Sequence, residues 1–148
     1  MAVISAAVDT LLANVLGNLA LGDRNKAVLS AVVRDCRGRD VGGAQLELID
    51  GETNAPVASG SEAGEPRAVY GRFALPHPEC TYTSAERSEW TMVNAPTNVS
   101  KGVITHPYRV RAKGRLRASD AEPAILDERA VELFPGDFSF VHPYRVAP

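Results

Sequence analysis

Two alternating apolar stretches around a short polar turn constrain the fold of this chain more than any other feature. The stretches span residues 29–34 and 44–49, and a period of two is typical of strands with one buried face. The segment 35–40 between them contains Gly38, which can adopt the backbone angles that a tight turn requires. We therefore predict a β-hairpin at this position.

Further short strands are predicted along the rest of the chain. They fall at 56–58, 70–75, 90–94, 108–117, 130–134 and 138–141, separated by segments rich in Gly, Pro, Ser and Asn. A chain of 148 residues is large enough for one hydrophobic core. The spacing predicts an all-β protein, a Greek-key-type β-sandwich that spans residues 23–148 as one domain. We predict that Trp90 belongs to its core rather than to a sugar-binding platform.

Residues 1–22 are predicted to form one N-terminal amphipathic helix. Apolar residues recur every three or four positions over residues 3–21, and Asp9 is the one charged residue among them. The apolar stripe packs either on its own domain or against a neighbouring subunit, and the sequence leaves both interpretations open. Its predicted assembly face consists of Ile4, Val8, Leu11, Leu12, Val15 and Leu19. The segment lacks the basic start of a signal peptide, and no apolar run is long enough to cross a membrane.

The two cysteines, Cys36 and Cys80, are too few for a disulfide-rich scaffold or a zinc cage. Both flank segments that are predicted as turns. One cross-link between loops is therefore a candidate disulfide, and the alternative is two separate, half-buried thiols. A disulfide would imply an oxidising compartment.

Five cations alternate with other side chains between Tyr108 and Arg117. On one extended strand all five would share a face. They are Arg109, Arg111, Lys113, Arg115 and Arg117. Such a stripe suits an anionic glycan or surface polymer. The alternative is an ordinary outer strand face, on which the cations pair with Glu47, Glu128 and Glu132 of neighbouring strands.

No group of residues predicts a catalytic or metal centre. His77, His106 and His142 are each followed by proline, and none of the close spacings that bring metal ligands together occurs. A nucleophile elbow, a phosphate loop and a dinucleotide fingerprint are absent from the sequence. The charged triplet 127–129 is predicted to be a solvated turn. We expect no enzyme, no catalytic residue, no metal and no cofactor.

The segment VVRDCRGRDVGGAQLEL resembles the opening hairpin of carboxypeptidase regulatory-like domains, which are transthyretin-like sandwiches. The matching residues are Asp35, Gly38, Val41, Gly43 and Ala44. The later run YGRFALPHPECTYTSAERSEWTMVNAP is similar to a form of these domains that is common in exported bacterial proteins. It matches at Pro76, Pro78, Thr83, Asn94 and Pro96. The resemblance covers about residues 28–141, and it departs from the usual form at 86–89, where a turn glycine is missing.

This resemblance implies a transthyretin-like fold, a location outside the cytoplasm, and a domain that braces, docks or binds. Two enzyme families with related folds match less well. Intradiol dioxygenases use a His-x-His element, whereas His106 is followed by Pro107-Tyr108. Transthyretin-like hydrolases end in Tyr-Arg-Gly-Ser, whereas Tyr144-Arg145 is followed by Val146. The pentapeptide HPYRV occurs twice, at 106–110 and 142–146, and indicates either two equivalent strand starts or chance.

We therefore predict a non-enzymatic, extracytoplasmic structural or interaction module that assembles with itself or docks onto other protein subunits. The alternative is a module that binds an anionic glycan or surface polymer through the stretch 109–117. Nucleic acid is not an expected partner, because the net charge is −2 and a general nucleic-acid binder is basic.

Overall fold

The computed structural model is all-β over the residues that it describes. These are residues 25–60, 62, 64–72, 75–77, 80–83, 89–98, 107–136 and 138–145. The predicted helix of residues 1–22, with its assembly face, lies outside this part of the chain, and so does His106.

Ten strands occur in the described part of the chain. They are β1 (Ala27–Ala31), β2 (Arg34–Asp35), β3 (Gln45–Ile49), β4 (Arg67–Arg72), β5 (Leu75–His77), β6 (Trp90–Ala95), β7 (Tyr108–Gly114), β8 (Ala124–Val131), β9 (Phe138–Val141) and β10 (Tyr144–Arg145).

The strands form two main sheets and one small ribbon. The five-stranded sheet has the order β5-β4-β6-β1-β9, the three-stranded sheet has the order β3-β7-β8, and β2 pairs with β10. Pairing within the two main sheets is antiparallel, except that β9 runs parallel to β1. The predicted all-β architecture, with sheets arranged as in a β-sandwich, is confirmed at this level. Its assignment as Greek-key and transthyretin-like stays a prediction.

The predicted strand 29–34 is divided in two. β1 ends at Ala31 and β2 begins at Arg34, because the chain leaves the five-stranded sheet between them. The C-terminal segment follows the same path in parallel. The Val32 N–H donates to the Val141 carbonyl (3.2 Å), and the Arg34 N–H donates to the Pro143 carbonyl (3.0 Å). Strands β9 and β10 thus pair in parallel with β1 and β2, respectively.

The core lies between the two main sheets. Alternate residues of β1, β6 and β7 point into it, and the largest fully buried side chain is Trp90, as predicted. Tyr70 also joins the sheets directly, because its hydroxyl on β4 accepts a hydrogen bond from the Leu46 N–H on β3 (2.8 Å). Burial raises the pKa of Tyr70, and the nearby Glu47 charge adds to this, while the Leu46 N–H acts in the opposite direction.

Two predicted elements of the three-stranded sheet are corrected. β7 ends at Gly114 rather than at residue 117, and β8 begins at Ala124 rather than at residue 130. The charged triplet 127–129 therefore lies on a strand and not in a turn. β8 has a β-bulge at Leu126, whose side chain packs against Gly114; a Cβ on Gly114 would stand 2.9 Å from Leu126 Cδ1.

Candidate functional site

The outer face of the three-stranded sheet carries the first three cations of the predicted stripe. On β7, Val110, Ala112 and Gly114 are buried, whereas Arg109, Arg111 and Lys113 point outward and are half-buried. Pairing of the strands places Arg111 between Glu47 of β3 and Glu128 of β8. We call Glu47, Arg111 and Glu128 the charged row.

These cations have partners within the sheet. Lys113 Nζ lies 2.8 Å from Glu47 Oε1, and Arg111 Nε donates to Glu128 Oε1. Arg109 Nε lies 4.0 Å from Glu128 Oε2, and its Nη2 donates to Asn54 Oδ1. The interpretation as a cross-strand paired face therefore fits these three residues, and Glu47 and Glu128 are the predicted partners.

Arg115 and Arg117 do not continue the stripe. Both lie beyond the end of β7 and are exposed, and the turn there is closed by the Arg117 N–H, which donates to Asp120 Oδ2 (2.8 Å). Glu132, the third predicted anion, lies just beyond β8 and is exposed. The single cationic ribbon predicted over 109–117 is thus divided into a paired ladder and an exposed turn.

The outer face of the five-stranded sheet is chemically different. The pairing of β4, β6, β1 and β9 places four uncharged side chains side by side across it. We call these the uncharged row: Val69, Thr91, Ser30 and Phe140. The Ser30 and Thr91 hydroxyls hydrogen-bond each other at 2.8 Å, so they satisfy part of their hydrogen-bonding capacity without water.

One edge of this sheet also presents aromatic side chains. β9 is its outermost strand, and Phe140 on β9 remains 46% exposed. Phe134, shortly before β9, is 38% exposed. Phe140 stacks edge-on against His142, with ring centroids 4.7 Å apart. An exposed aromatic residue on an outermost strand is a feature of surfaces that bind other proteins.

Other sheet edges in the described part of the chain are protected. β3 is covered by the following segment, because the Val57 N–H donates to the Leu48 carbonyl and Ile49 bridges to Pro56. β5 has only three residues, of which Pro76 is one. β8 carries the ion pair Arg129–Asp127, with Nε and Oδ2 2.7 Å apart. Proline and charges are usual protection of an edge, and β9, a strand of four residues, contains neither.

Thr83 holds the hairpin to a distant loop. Its N–H donates to the Ala44 carbonyl (2.8 Å), and its carbonyl accepts from the Gly43 N–H (2.6 Å). Its hydroxyl donates to the Val41 carbonyl (2.7 Å) and accepts from the Ala44 N–H (2.9 Å). The residue is 1% exposed. Thr83 belongs to the sequence motif, but this role could not be predicted because its partners lie about forty residues away.

Asn94 also has a structural role. It adopts φ 50°, in the left-handed region that asparagine tolerates better than most residues, at the position where β6 bulges against β1. Its side chain is buried, and Nδ2 donates to the Glu65 carbonyl (3.4 Å).

The hairpin turn is built around Asp35. Its Oδ1 accepts the N–H groups of Arg37 and Arg39 at 2.8 and 2.9 Å, and Gly38 takes φ 75°, as the predicted turn requires. The Arg39 backbone N–H, followed by its side chain, holds the pKa of Asp35 below its ordinary 3.8. This carboxylate therefore forms its hydrogen bonds within its own turn.

Both cysteines are free thiols. Cys36 is exposed in the hairpin turn, and Cys80 is half-buried and packs against the core. The candidate disulfide is therefore not formed in the structure.

The described residues contain no cluster of three His, Cys, Asp or Glu side chains that could hold a metal ion. Of the histidines, only His142 has a described side chain, and its Nδ1 is buried. The two HPYRV segments both lead into strands, at Tyr108 of β7 and Tyr144 of β10, but β7 pairs antiparallel and β10 parallel. No helix in the described ranges is long and apolar enough for a membrane span.

The chain was compared with protein families, curated proteins and solved structures. No family model matches the chain, and no curated protein matches it. Among solved structures, phospholipase PlaB from Legionella pneumophila is similar, with a TM-score of 0.46 and 14% sequence identity. The match covers 81% of this chain and 25% of the phospholipase chain, so this chain spans about a quarter of its neighbour.

This neighbour is an enzyme, and it contradicts the prediction that the chain is not one. The prediction rested on motifs that were missing from the sequence, and a missing motif does not identify a non-enzymatic protein. We withdraw it. A similarity of this size assigns neither an activity nor a family to the chain.

Proposed function

We propose that this chain is a structural or interaction module that assembles with further copies of itself through the edge strand β9. The observation that carries the proposal is the contrast between β9 and the other described edges. β9 exposes Phe140 and lacks the charges and proline that protect β5 and β8. An open edge of this kind accepts another extended strand through main-chain hydrogen bonds.

The proposed contact is symmetric. Two β9 strands related by a two-fold axis pair antiparallel and join two five-stranded sheets into one continuous sheet. In this arrangement Phe140 of each copy lies beside the same residue of the other, and apolar area that is open in the single chain becomes covered.

We also propose that the chain is a carboxypeptidase regulatory-like domain, as its sequence resemblance implies. Support comes from residues of the motif that have specific structural roles here: Asp35 and Gly38 form the hairpin turn, Thr83 fastens the loop, and Asn94 forms the bulge. A location outside the cytoplasm remains a prediction from the same resemblance.

Anion binding through 109–117 gains no support from the geometry. The cations on the strand are matched by Glu47 and Glu128, so the face has a small net charge instead of a cationic field.

Light scattering of the full chain over a hundredfold range of concentration tests the proposal. We expect a mass that rises above 15.8 kDa with concentration, and a constant monomer mass for Phe140→Lys, which places a charge on the edge. Ala130→Lys is the matched control, because Ala130 is exposed on the outer face of the other sheet. A full chain that stays monomeric throughout, or equal dissociation by both variants, would contradict the proposal.

A further inference from the structure

We infer that residues 3–19 cover the outer face of the five-stranded sheet of their own chain with their apolar stripe. This inference concerns the face of the sheet and not the β9 edge, so it does not depend on the proposed self-assembly.

The first observation is that apolar side chains are buried on the outer side of the five-stranded sheet, away from the core. Val93 of β6 is 0% exposed and Val69 of β4 is 5% exposed, yet neither belongs to the cluster that fills the space between the sheets. Their strand neighbours Met92 and Tyr70 do belong to it. Because successive side chains of a strand alternate, Val93 and Val69 point to the outer face.

The other sheet shows how much exposure an uncovered face retains. On its central strand β7, the outward side chains of Arg109, Arg111 and Lys113 keep 34%, 17% and 29% exposure, although each forms an ion pair with Glu128 or Glu47. On the same face Ile49 is 0% exposed, and there the segment after β3 lies beside it, through a bridge to Pro56 and a hydrogen bond from the neighbouring Arg109 to Asn54. Arg67 lies opposite Val93, but burial also extends to Val69 on β4 and Ser30 on β1, so it points to a cover that spans several strands and belongs to the same chain.

The second observation is the chemistry of the face. The uncharged row crosses four strands without a charge, and the next outward pair is Val28 beside Phe138. Arg67, the first residue of β4, carries a charge on this face and lies opposite Val93. An apolar surface with an internally hydrogen-bonded Ser30–Thr91 pair suits an apolar occupant and not a charged one.

Residues 3–19 have the matching chemistry. Their apolar side chains recur at helical spacing, and Asp9 is their one charge. By contrast, the segment 84–88, also outside the described residues, carries Glu86 and Arg87 in a stretch of five residues.

The connection is long enough for the segment to fold back. β1 is an inner strand of the same sheet, and seven residues, or eight Cα–Cα steps, separate Leu19 from Ala27. They can span up to about 28 Å when extended. The four strands of the uncharged row are together only about 15 Å wide. The stripe can therefore reach any part of the face from the start of β1.

Chemical cross-linking of the full chain tests the placement. In a Cys36→Ser, Cys80→Ala background, Leu12→Cys from the stripe is combined with Val28→Cys from the face, and a short bismaleimide is added. We expect a cross-link within one chain, seen as loss of both thiols at monomer mass. Asn14→Cys with Val28→Cys is the matched control, because Asn14 lies off the stripe at nearly the same chain separation, and it should react much less.

Equal reaction of the two pairs would overturn the inference. Cross-links that form only between chains would also overturn it, because the stripe would then lie on a second copy. Emission of the buried Trp90 shows whether each variant retains its core.

A second measurement keeps the test independent of the cross-linker. The labelling rate of Val28→Cys is compared in full chains that carry Val8→Asp on the stripe or Asn14→Asp off it. We expect Val8→Asp to raise the rate about tenfold by opening the cover, and Asn14→Asp to leave it unchanged. An unchanged rate with Val8→Asp would show that another segment, such as 99–106, covers the face, and would overturn the inference.

Discussion

The outer faces of the two sheets differ in chemistry and in exposure to water. On the three-stranded sheet the charged row alternates sign across the strands, so its side chains neutralise each other and stay partly exposed to water. On the five-stranded sheet the uncharged row has no charge, and residues beside it are fully buried. The first face is complete as a solvent surface. The second is complete only when something covers it.

The difference shows why a charged stripe in a sequence is weak support for a binding site. Glu47 and Glu128 are distant from residue 111 in sequence, and only strand pairing brings both beside Arg111. Conversely, the outer face of the five-stranded sheet is not visible as a pattern in the sequence, since Val69, Val93 and Ser30 form no motif. Their importance follows from the side of the sheet on which they lie.

The largest effect is expected from a charge on the covered face. Val93→Asp should lower the free energy of unfolding by at least about 3 kcal/mol, because an unpaired carboxylate would be buried. Ala130→Asp, on the other outer face and opposite Arg109, should change it by less than about 0.5 kcal/mol. Urea unfolding followed by Trp90 fluorescence measures both. A cost below 1 kcal/mol for Val93→Asp would mean that this face is open to water.

The second-largest effect is expected from Thr83, which holds the loop to the hairpin. Thr83→Val should cost about 1–3 kcal/mol, because the Ala44 N–H and the Val41 carbonyl lose their hydroxyl partner in a buried position. Thr83→Ser keeps the hydroxyl and should cost distinctly less. The same unfolding measurement applies, and equal costs for the two variants would show that the hydroxyl is unimportant.

A smaller effect is expected within the charged row. A double-mutant cycle of Arg111→Met and Glu128→Gln should give a coupling energy of about 0.5–1 kcal/mol, because the pair is only partly buried. The coupling should weaken in 1 M salt. A cycle on the covered face, with Val69→Ala and Val93→Ala, should show no such salt dependence. Salt-independent coupling of Arg111 and Glu128 would argue against an electrostatic pair.

The smallest effect is expected at the turn carboxylate. The pKa of Asp35 is lowered in the folded chain, so its ionised form stabilises the fold above the ordinary value of 3.8, and this contribution is lost as the pH falls through the lower, folded value. At pH 7 the urea midpoint of the wild-type chain should therefore be higher than that of Asp35→Asn. This difference should shrink at pH 3. A difference that is the same at both pH values would contradict this account.

The sequence predicted the parts of the fold that depend on local patterns. Alternation in 29–34, 44–49 and 90–94 identified strands, and Gly38 identified the turn. Trp90 was correctly predicted to belong to the core. These features depend on the side-chain period and on backbone preference, both of which are visible in a single stretch of chain.

What depends on pairing could not be predicted. The end of β7 at Gly114 follows from where its antiparallel partners β3 and β8 begin, and the bulge at Leu126 shifts the register of β8 by one residue. The charged triplet 127–129 concealed β8, because charges on a strand become favourable only when their neighbours are known. The candidate site was therefore placed on the more conspicuous face, the charged one.

The most direct test of the contrast is the labelling rate of one thiol on each face. In the full chain with Cys36→Ser and Cys80→Ala, Val93→Cys and Lys113→Cys each place a thiol on the outer side of a central strand. A covered face predicts that Val93→Cys reacts at least about a hundredfold more slowly, because it is reached only through opening. Similar rates at the two positions would contradict the claim that one face is covered and the other open.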